Sequence, residues 1–252
     1  MNLFSTLAAG AIRLLIYFFM LLPTWTKAQW SLNLGGSGEI SHLNQLNAII
    51  DYHNHLNASA LIAPLPHFGS FTGRSIEIGR DWKHLQLGGH YNRLTQMVRN
   101  NSALAPNTSM ELLYYNAQIG IRAEWMFSSY FGMGGTLDCN LLNVSRSNPI
   151  KQNGYYTNSA SLFAEGYWSY RYQLHFQKLL NPYFAVSFRP YYQQSFNPLD
   201  FSGVHRSLGK TVTTLSFVRD VPEFAAAPQR WITFGSELTL RMFLSHKGAN
   251  SD

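Results

Sequence analysis

Residues 112–127 read "LLYYNAQIGIRAEWMF". Every second residue from Leu113 gives Leu113, Tyr115, Ala117, Ile119, Ile121, Ala123, Trp125 and Phe127. The intervening set is Leu112, Tyr114, Asn116, Gln118, Gly120, Arg122, Glu124 and Met126. A period of two marks a β-strand with one oily face and one polar face. The run outlasts the usual strand of about five or six residues. The fold therefore turns on which solvent each face meets.

The same alternation recurs downstream. Phe131, Met133, Leu137, Cys139 and Leu141 interleave with Gly132, Gly134, Thr136, Asp138 and Asn140. Ala160, Leu162, Ala164, Trp168, Tyr170 and Tyr172 interleave with Ser161, Glu165, Tyr167, Ser169 and Arg171. Phe184, Val186, Phe188 and Tyr192 interleave with Ser187, Arg189 and Gln193, and Ile232, Phe234, Leu238 and Leu240 with Thr233, Gly235, Glu237 and Arg241. Shorter alternations around Trp30–Leu34, Ile76–Trp82 and Leu85–Tyr91 bring the count to eight strands.

The connections alternate in length. Short ones fall at residues 81–84, 127–130 and 175–182, and long ones at 37–71, 99–109, 145–155 and 197–230. Turns at one end and long loops at the other are how outer-membrane barrels are built. In the first long loop, Ile40, Leu43, Leu46, Ile49 or Ile50, and His53 follow helical spacing. They predict a short amphipathic helix over the barrel mouth, capped by Ser41 or the Gly38-Glu39 pair. "KTVTTLSFV", Lys210 to Val218, has strand propensity and is read as an extension above the membrane, because a ninth strand would make the count odd.

Composition suits an exterior that avoids water. Only 13% of residues are charged and 15% are aromatic, against about 25% charged in soluble proteins. The formal charge of +6 includes Arg13 and Lys27; without them 17 basic side chains face 13 acidic ones. No basic run accompanies that excess, so a nucleic-acid partner is not indicated. One cysteine, Cys139, excludes an internal disulfide framework. At the front, Arg13 precedes the apolar stretch Leu14–Leu22, Pro23 breaks it, and Thr26-Lys27-Ala28 supplies small residues at −3 and −1. This reads as a cleaved secretory leader over 1–28, with 29–244 as the barrel and 245–252 as a periplasmic tail.

Aromatics collect where interfacial belts would lie: Trp82, Trp125, Phe127 and Phe131 near the short turns, with Tyr170, Tyr172, Phe184 and Trp231 completing two girdles. In the last strand, "TFGSELTL" places Thr233, Gly235, Leu238 and Leu240 in the order polar, Gly, apolar, apolar. That pattern resembles the C-terminal assembly signal of outer-membrane barrels, with aliphatic residues in place of the usual aromatics. Residues 29–244 together resemble the small eight-stranded outer-membrane barrels of the OmpA-like superfamily in pattern and layout. The resemblance implies an all-β, single antiparallel transmembrane barrel in the outer membrane of a Gram-negative cell. Its implied partners are outer-membrane lipid, the barrel-assembly machinery and an unidentified protein met by the outer loops or in the periplasm.

Alternation puts Glu77, Glu111, Glu124, Asp138, Glu165 and Glu237 on the polar face with Arg122, Arg171, Arg189 and Arg241. An eight-stranded barrel is just wide enough to be filled by side chains, so these charges should pair across strands. Glycines 132, 134 and 135 are expected to make room for Arg122 or Tyr167. A closed polar lumen with a structural or interaction role follows, or a porin-like passage for small molecules. Two other classes fit the chain less well. A lipid-modifying enzyme of the lipase, deacylase or acyltransferase type would draw on His205 and Ser207 in the last loop, His53 and His55 in the first, or His90 on an inner face, and no nucleophile motif such as G-x-S-x-G is present. A soluble lipocalin-like carrier would have its charged set outside. No metal or cofactor motif is present; His53 and His55 read as positions on the loop helix rather than as ligands.

Overall fold

The computed structural model describes residues 29–58, 61–102, 110–147, 151–152, 155–156, 159–205 and 228–244. The leader, Ser207, Lys210–Val218 and the tail 245–252 lie outside the described residues.

Eight antiparallel strands close into one barrel. They are β1 (Gln29–Ser41), β3 (Ser70–Asp81), β4 (Leu85–Arg99), β6 (Glu111–Met126), β7 (Phe131–Ser147), β10 (Ser159–Asn181), β11 (Phe184–Leu199) and β12 (Gln229–Phe243). Each pairs with its sequence neighbours in the barrel, and β1 closes the ring against β12, with Ser31 opposite Phe243. Closure removes every sheet edge, as an apolar solvent demands of backbone N–H and C=O groups. Four further short strands lie in the loops: β2 (Leu61–Ala63) pairs with β5 (Asn101–Ser102), and β8 (Lys151–Gln152) with β9 (Tyr155–Tyr156).

The stretch that opened the problem is β6. Its even-numbered residues from Leu112 to Met126 are all buried, and its odd-numbered ones are half-buried or exposed. Trp125, Ile119 and Ile121 thus face outward while Arg122 and Glu124 face the lumen. The same phase holds around the ring: Leu34, Ile76, Ile78, Leu137, Leu174, Phe188, Phe234 and Leu240 are exposed. Arg122, Arg171, Arg189 and Arg241 rank among the most buried side chains of the molecule. A lipocalin-like carrier needs the reverse arrangement.

The third short connection is tighter than the alternation predicts. Strand β10 continues through His175 to Asn181, leaving a two-residue turn in which Asn181 Oδ1 accepts from the backbone N–H groups of Tyr183 and Phe184.

The helix α1 (Asn44–Leu56) starts later than its apolar spacing suggested. Ile40 and Ser41 belong to β1; Ile40 is exposed on the outer wall, and Ser41 Oγ shares a hydrogen bond with Thr233 Oγ1 at 3.0 Å. Leu43 occupies the N-cap with no side-chain cap, because both expected caps are used by the barrel. Leu46, Ile49 and Ile50 are fully buried in a cluster with Phe68, Phe71, Leu112, Tyr114, Leu142, Val144, Phe201 and Trp231. Loop backbone is tied to the helix by Asn47, which exchanges two hydrogen bonds with Phe68, and by Asn54, which exchanges two with Leu65.

Candidate functional site

The lumen holds the chemistry of this chain, and strand alternation delivers every group to it. At its charged level Arg122 donates to Glu77 and, at 2.8 Å, to Glu237 Oε2. Arg171 donates to Glu237 Oε1 at 2.6 Å and lies 3.6 Å from Asp138 Oδ2. Arg189 bridges Glu77 and Glu124, each at 3.1 Å. Arg241, nearer the short turns, holds Asp81, Ser31, Gln86 and Gln177. Each carboxylate here meets at least one cation, which offsets the cost of removing both from water.

Two histidines enter the network. His90 Nε2 stands 3.0 Å from Asp138 Oδ1, and His175 Nδ1 stands 2.8 Å from Glu124 Oε2. Glu39 accepts from the Tyr191 hydroxyl at 2.6 Å, and the Arg171 guanidinium lies 4.1 Å from the centre of the Tyr191 ring. Glycines admit these groups. A Cβ on Gly120 would collide with Asp138 Oδ1, one on Gly88 with Glu77, and one on Gly235 with Tyr191. Gly132 and Gly134 yield space to Met126 and Glu124, and Gly135 meets the Arg171 backbone, so none serves Arg122 or Tyr167.

Above the charges lies a band of amides and hydroxyls. Ser37 donates to Asn92, Asn92 to Gln118, and Gln193 and Asn140 both to Ser169, over distances of 2.7 to 3.1 Å. Arg171 Nη2 reaches up to Gln118 at 2.8 Å and Gln193 at 3.0 Å, joining the two layers. Above that, Tyr114, Tyr167, Phe71 and Trp231 pack ring against ring, with centroids 4.2 to 6.3 Å apart. Helix α1 closes the stack. From the turns to the mouth, the lumen passes from ionic to amide to apolar.

Not every expected residue joins this network. Glu111 falls on the outward phase, one residue off the buried even-numbered set, and pairs with Arg99 at 3.5 Å near the mouth. Glu165 keeps the inward phase but lies half-buried toward the mouth, near Asp200. Trp231 is buried in the mouth cluster rather than part of a belt, since it shares the odd, inward phase of Thr233 and Glu237. In the terminal strand Thr233 and Gly235 line the lumen, while Leu238 and Leu240 are exposed outside.

Glu39, Asp81, His90 and His175 complete the network. The local sequence predicts a helix cap at Glu39 and turns at Asp81 and His175, yet all three belong to barrel strands. Carrying the period of two onward from Ser37, Glu77 and Gln173 would have reached all three.

The outer wall carries the aromatics. Trp125, Phe127, Tyr130, Tyr183 and Phe184 are exposed at the short-turn end. Phe127, Phe131 and Phe176 form a row with centroids 5.8 and 5.4 Å apart. Arg80 lies over both Trp30 and Trp82, at 5.5 and 5.4 Å. Farther up the wall, Tyr170 packs against Tyr172 and Phe196, and Tyr192 against Phe234. Tyr192 stands eight residues above Phe184 on β11, and Phe196 twelve. At about 3.3 Å per residue and a tilt near 40°, the aromatic zones are about 20–30 Å apart. That brackets the roughly 25 Å apolar band of a membrane barrel.

His205, the last-loop catalytic candidate within the described residues, is buried under the loop helix edge-on to Tyr52 at 5.2 Å. His53 is buried on the inner face of α1 and His55 is exposed on the other, so the two do not converge on one ligand. Among the described residues, no three His, Cys, Asp or Glu side chains gather to hold a metal.

Neither a protein-family model nor a curated protein sequence matches the chain. Solved structures do. The attachment invasion locus protein Ail of Yersinia pestis, in complex with the heparin analogue sucrose octasulfate, is similar over 86% of this chain and 100% of its own, at 10% identity and a TM-score of 0.48. Neisserial surface protein A is similar over 86% and 99%, at 11% identity and a TM-score of 0.38. The outer membrane protease OmpT of Escherichia coli follows over 86% and 96%, at 9% identity and 0.33. In strand number, strand direction and the alternation of short turns with long loops, this chain has the architecture of the small eight-stranded outer-membrane barrels.

Proposed function

We propose that the chain is an integral outer-membrane barrel with a closed lumen, and that its role is structural or one of interaction through the long loops. The membrane placement is supported by the outward phase of Leu34, Ile76, Ile121, Leu137, Phe188 and Leu240 between two aromatic zones. In water, so large a contiguous apolar surface would drive association. The closed lumen is supported by one observation above the rest: the interior is crossed at successive levels by ion pairs, side-chain amide hydrogen bonds and packed rings under a helix. A passage would require breaking all three.

Planar bilayers test closure. The purified barrel should insert without raising conductance above that of the bare bilayer, and a steady ohmic current would overturn the closed reading. Membrane integration has its own test. The unheated protein should migrate faster on a gel than the boiled one and should leave membranes only with detergent. Recovery as a soluble monomer would overturn the placement. The loops on this rigid scaffold are where specificity would reside.

A further inference from the structure

Arg74 and Arg93 are direct cross-strand partners on β3 and β4, and both are exposed on the outer wall. Like charges in that position repel, and among the described residues neither lies within 4 Å of a carboxylate. The outward phase of the eight strands holds a single described carboxylate, Glu111, which is already paired with Arg99. Among the described residues, no carboxylate on the wall therefore offsets the two guanidinium charges. Arg93 is held in place by Tyr115, with its guanidinium carbon 4.9 Å from the ring centroid. Tyr91 lies two positions below it on the same face.

Height matters. Arg74 and Arg93 stand seven and eight residues above the short-turn ends of their strands, Asp81 and Leu85. At about 3.3 Å per residue and a tilt near 40°, that is roughly 20 Å, close to the upper boundary of a ~25 Å apolar band. From a few ångströms below that boundary a long arginine side chain can extend its guanidinium up to the phosphates of outer-leaflet lipids.

The adjoining wall has a gap in its side chains. Gly36 is the partner of Arg74 on β1, and Gly38 is the partner of Thr72. A Cβ on Gly38 would meet nothing within 4 Å, and one on Gly36 only the Gly73 carbonyl oxygen at 3.6 Å. On the far side Gly36 faces Leu238 and Gly38 faces Ser236. The result is a shallow strip of bare backbone between exposed Ile40, Phe234 and Leu238 on one side and Arg74 on the other. Close packing of this backbone is not needed for the fold, since small side chains would fit. An acyl chain would.

We propose that this notch, with Arg74 and Arg93, binds a phosphorylated, multiply acylated lipid of the outer leaflet, of the lipid A type. The phosphate sits between the two guanidinium groups, which match its geometry by paired N–H donors. One acyl chain lies along Gly36 and Gly38. The inference rests on the outer-membrane reading above.

The test uses the full mature barrel, folded in detergent and examined by native mass spectrometry with added bis-phosphorylated lipid A. Retention should fall on the order of tenfold in the Arg74→Gln/Arg93→Gln double variant, from the loss of two interfacial cations. Lipid A stripped of its phosphates should bind the parent no better than intact lipid A binds the double variant. Gly36→Leu, which fills the notch and keeps both charges, should also reduce retention. Equal retention by parent and double variant, or equal retention of phosphorylated and dephosphorylated lipid A, would overturn the site. So would equal retention of phosphatidylglycerol, which would reduce the pair to a general attraction for anions. Gel migration of the same samples separates the two readings. A chain with no faster-migrating folded band contradicts the membrane barrel itself, whereas a folded barrel with unchanged retention contradicts the lipid site alone.

Discussion

Arg171 and Glu237 meet at 2.6 Å with neither side chain open to solvent, and Glu237 turns its second oxygen to Arg122 at 2.8 Å. One carboxylate thus serves two guanidinium groups from strands on different sides of the lumen. Such a pair is weak evidence for net stability, because burying both charges costs nearly what their attraction returns. Breaking it is another matter. Arg171→Met removes the guanidinium that faces Glu237 Oε1, Asp138 and the Gln118 and Gln193 oxygens, leaving Glu237 with Arg122 alone, and should cost about 3–5 kcal/mol by urea unfolding in detergent or vesicles. Glu237→Gln combined with Arg171→Met should recover part of that loss. Arg99→Ala, which removes the half-exposed pair with Glu111, should cost no more than about 0.5 kcal/mol. Equal effects at the two sites would mean that water screens the lumen.

The helix in the mouth carries a pH dependence. His53 is buried on its inner face, and burial, aided by the charge of Arg146, lowers its pKa to about 4. The unfolded value is near 6.5, so below that pH the undocked helix binds a proton that the docked one refuses. Docking is therefore fully stable above pH 6.5 and weakens as the pH falls toward 4, by up to about 3 kcal/mol. Hydrogen exchange of residues 44–56 should accelerate across this window while the barrel strands stay protected. His53→Gln should flatten the profile; an unchanged profile in that variant would assign the dependence to another group.

How far the sequence alone carried can be judged from particular residues. The dyad pattern puts Arg122, Glu124, Asp138, Arg171, Arg189, Glu237 and Arg241 on one polar face, and in the structure these seven side chains are buried on one phase of their strands, since register leaves a strand with one buried face no freedom of phase. It failed where strands met turns. Glu111 shares the odd phase of Leu113 and so lies outward, a slip of phase in the charge assignment, whereas Asp81, His175 and Glu39 read as turn or cap residues because local propensity near a strand end does not reveal how long the ladder continues. The alignment of Arg74 with Arg93 was invisible for a different reason. Register between two strands depends on the turn that joins them, and only the paired backbone fixes which outward residues stand side by side.

The apolar cluster at the mouth should be separable from the barrel below it. Leu46 is fully buried between the helix and the barrel wall, and truncation of such a side chain costs about 2–5 kcal/mol. Leu46→Ala should therefore expose the first long loop to protease at concentrations that leave the parent intact. The strands should still migrate as a folded barrel, since the ion pairs and side-chain hydrogen bonds beneath are untouched. Loss of the folded band would mean that the plug and the barrel form one cooperative unit.

Glycine spacing offers the sharpest structural test. Gly120 lies on the inner phase of β6, opposite Asp138 on β7 and His90 on β4. A methyl group there would run into Asp138 Oδ1 and would come within 2.6 Å of the Leu137 carbonyl oxygen and 2.9 Å of the His90 ring. The carboxylate cannot retreat without leaving His90 and Thr136, and the backbone oxygen is fixed by the ladder. Gly120→Ala should accordingly destabilise the barrel by several kcal/mol, at or beyond the roughly 1–3 kcal/mol of ordinary overpacking. Gly38→Ala makes the same chemical change on the outer wall, where nothing lies within 4 Å, and should be neutral to slightly stabilising because alanine restricts the unfolded chain. Unfolding midpoints of the two variants, measured in the same detergent, decide the matter: equal midpoints would refute the packing of Asp138 and His90 against Gly120.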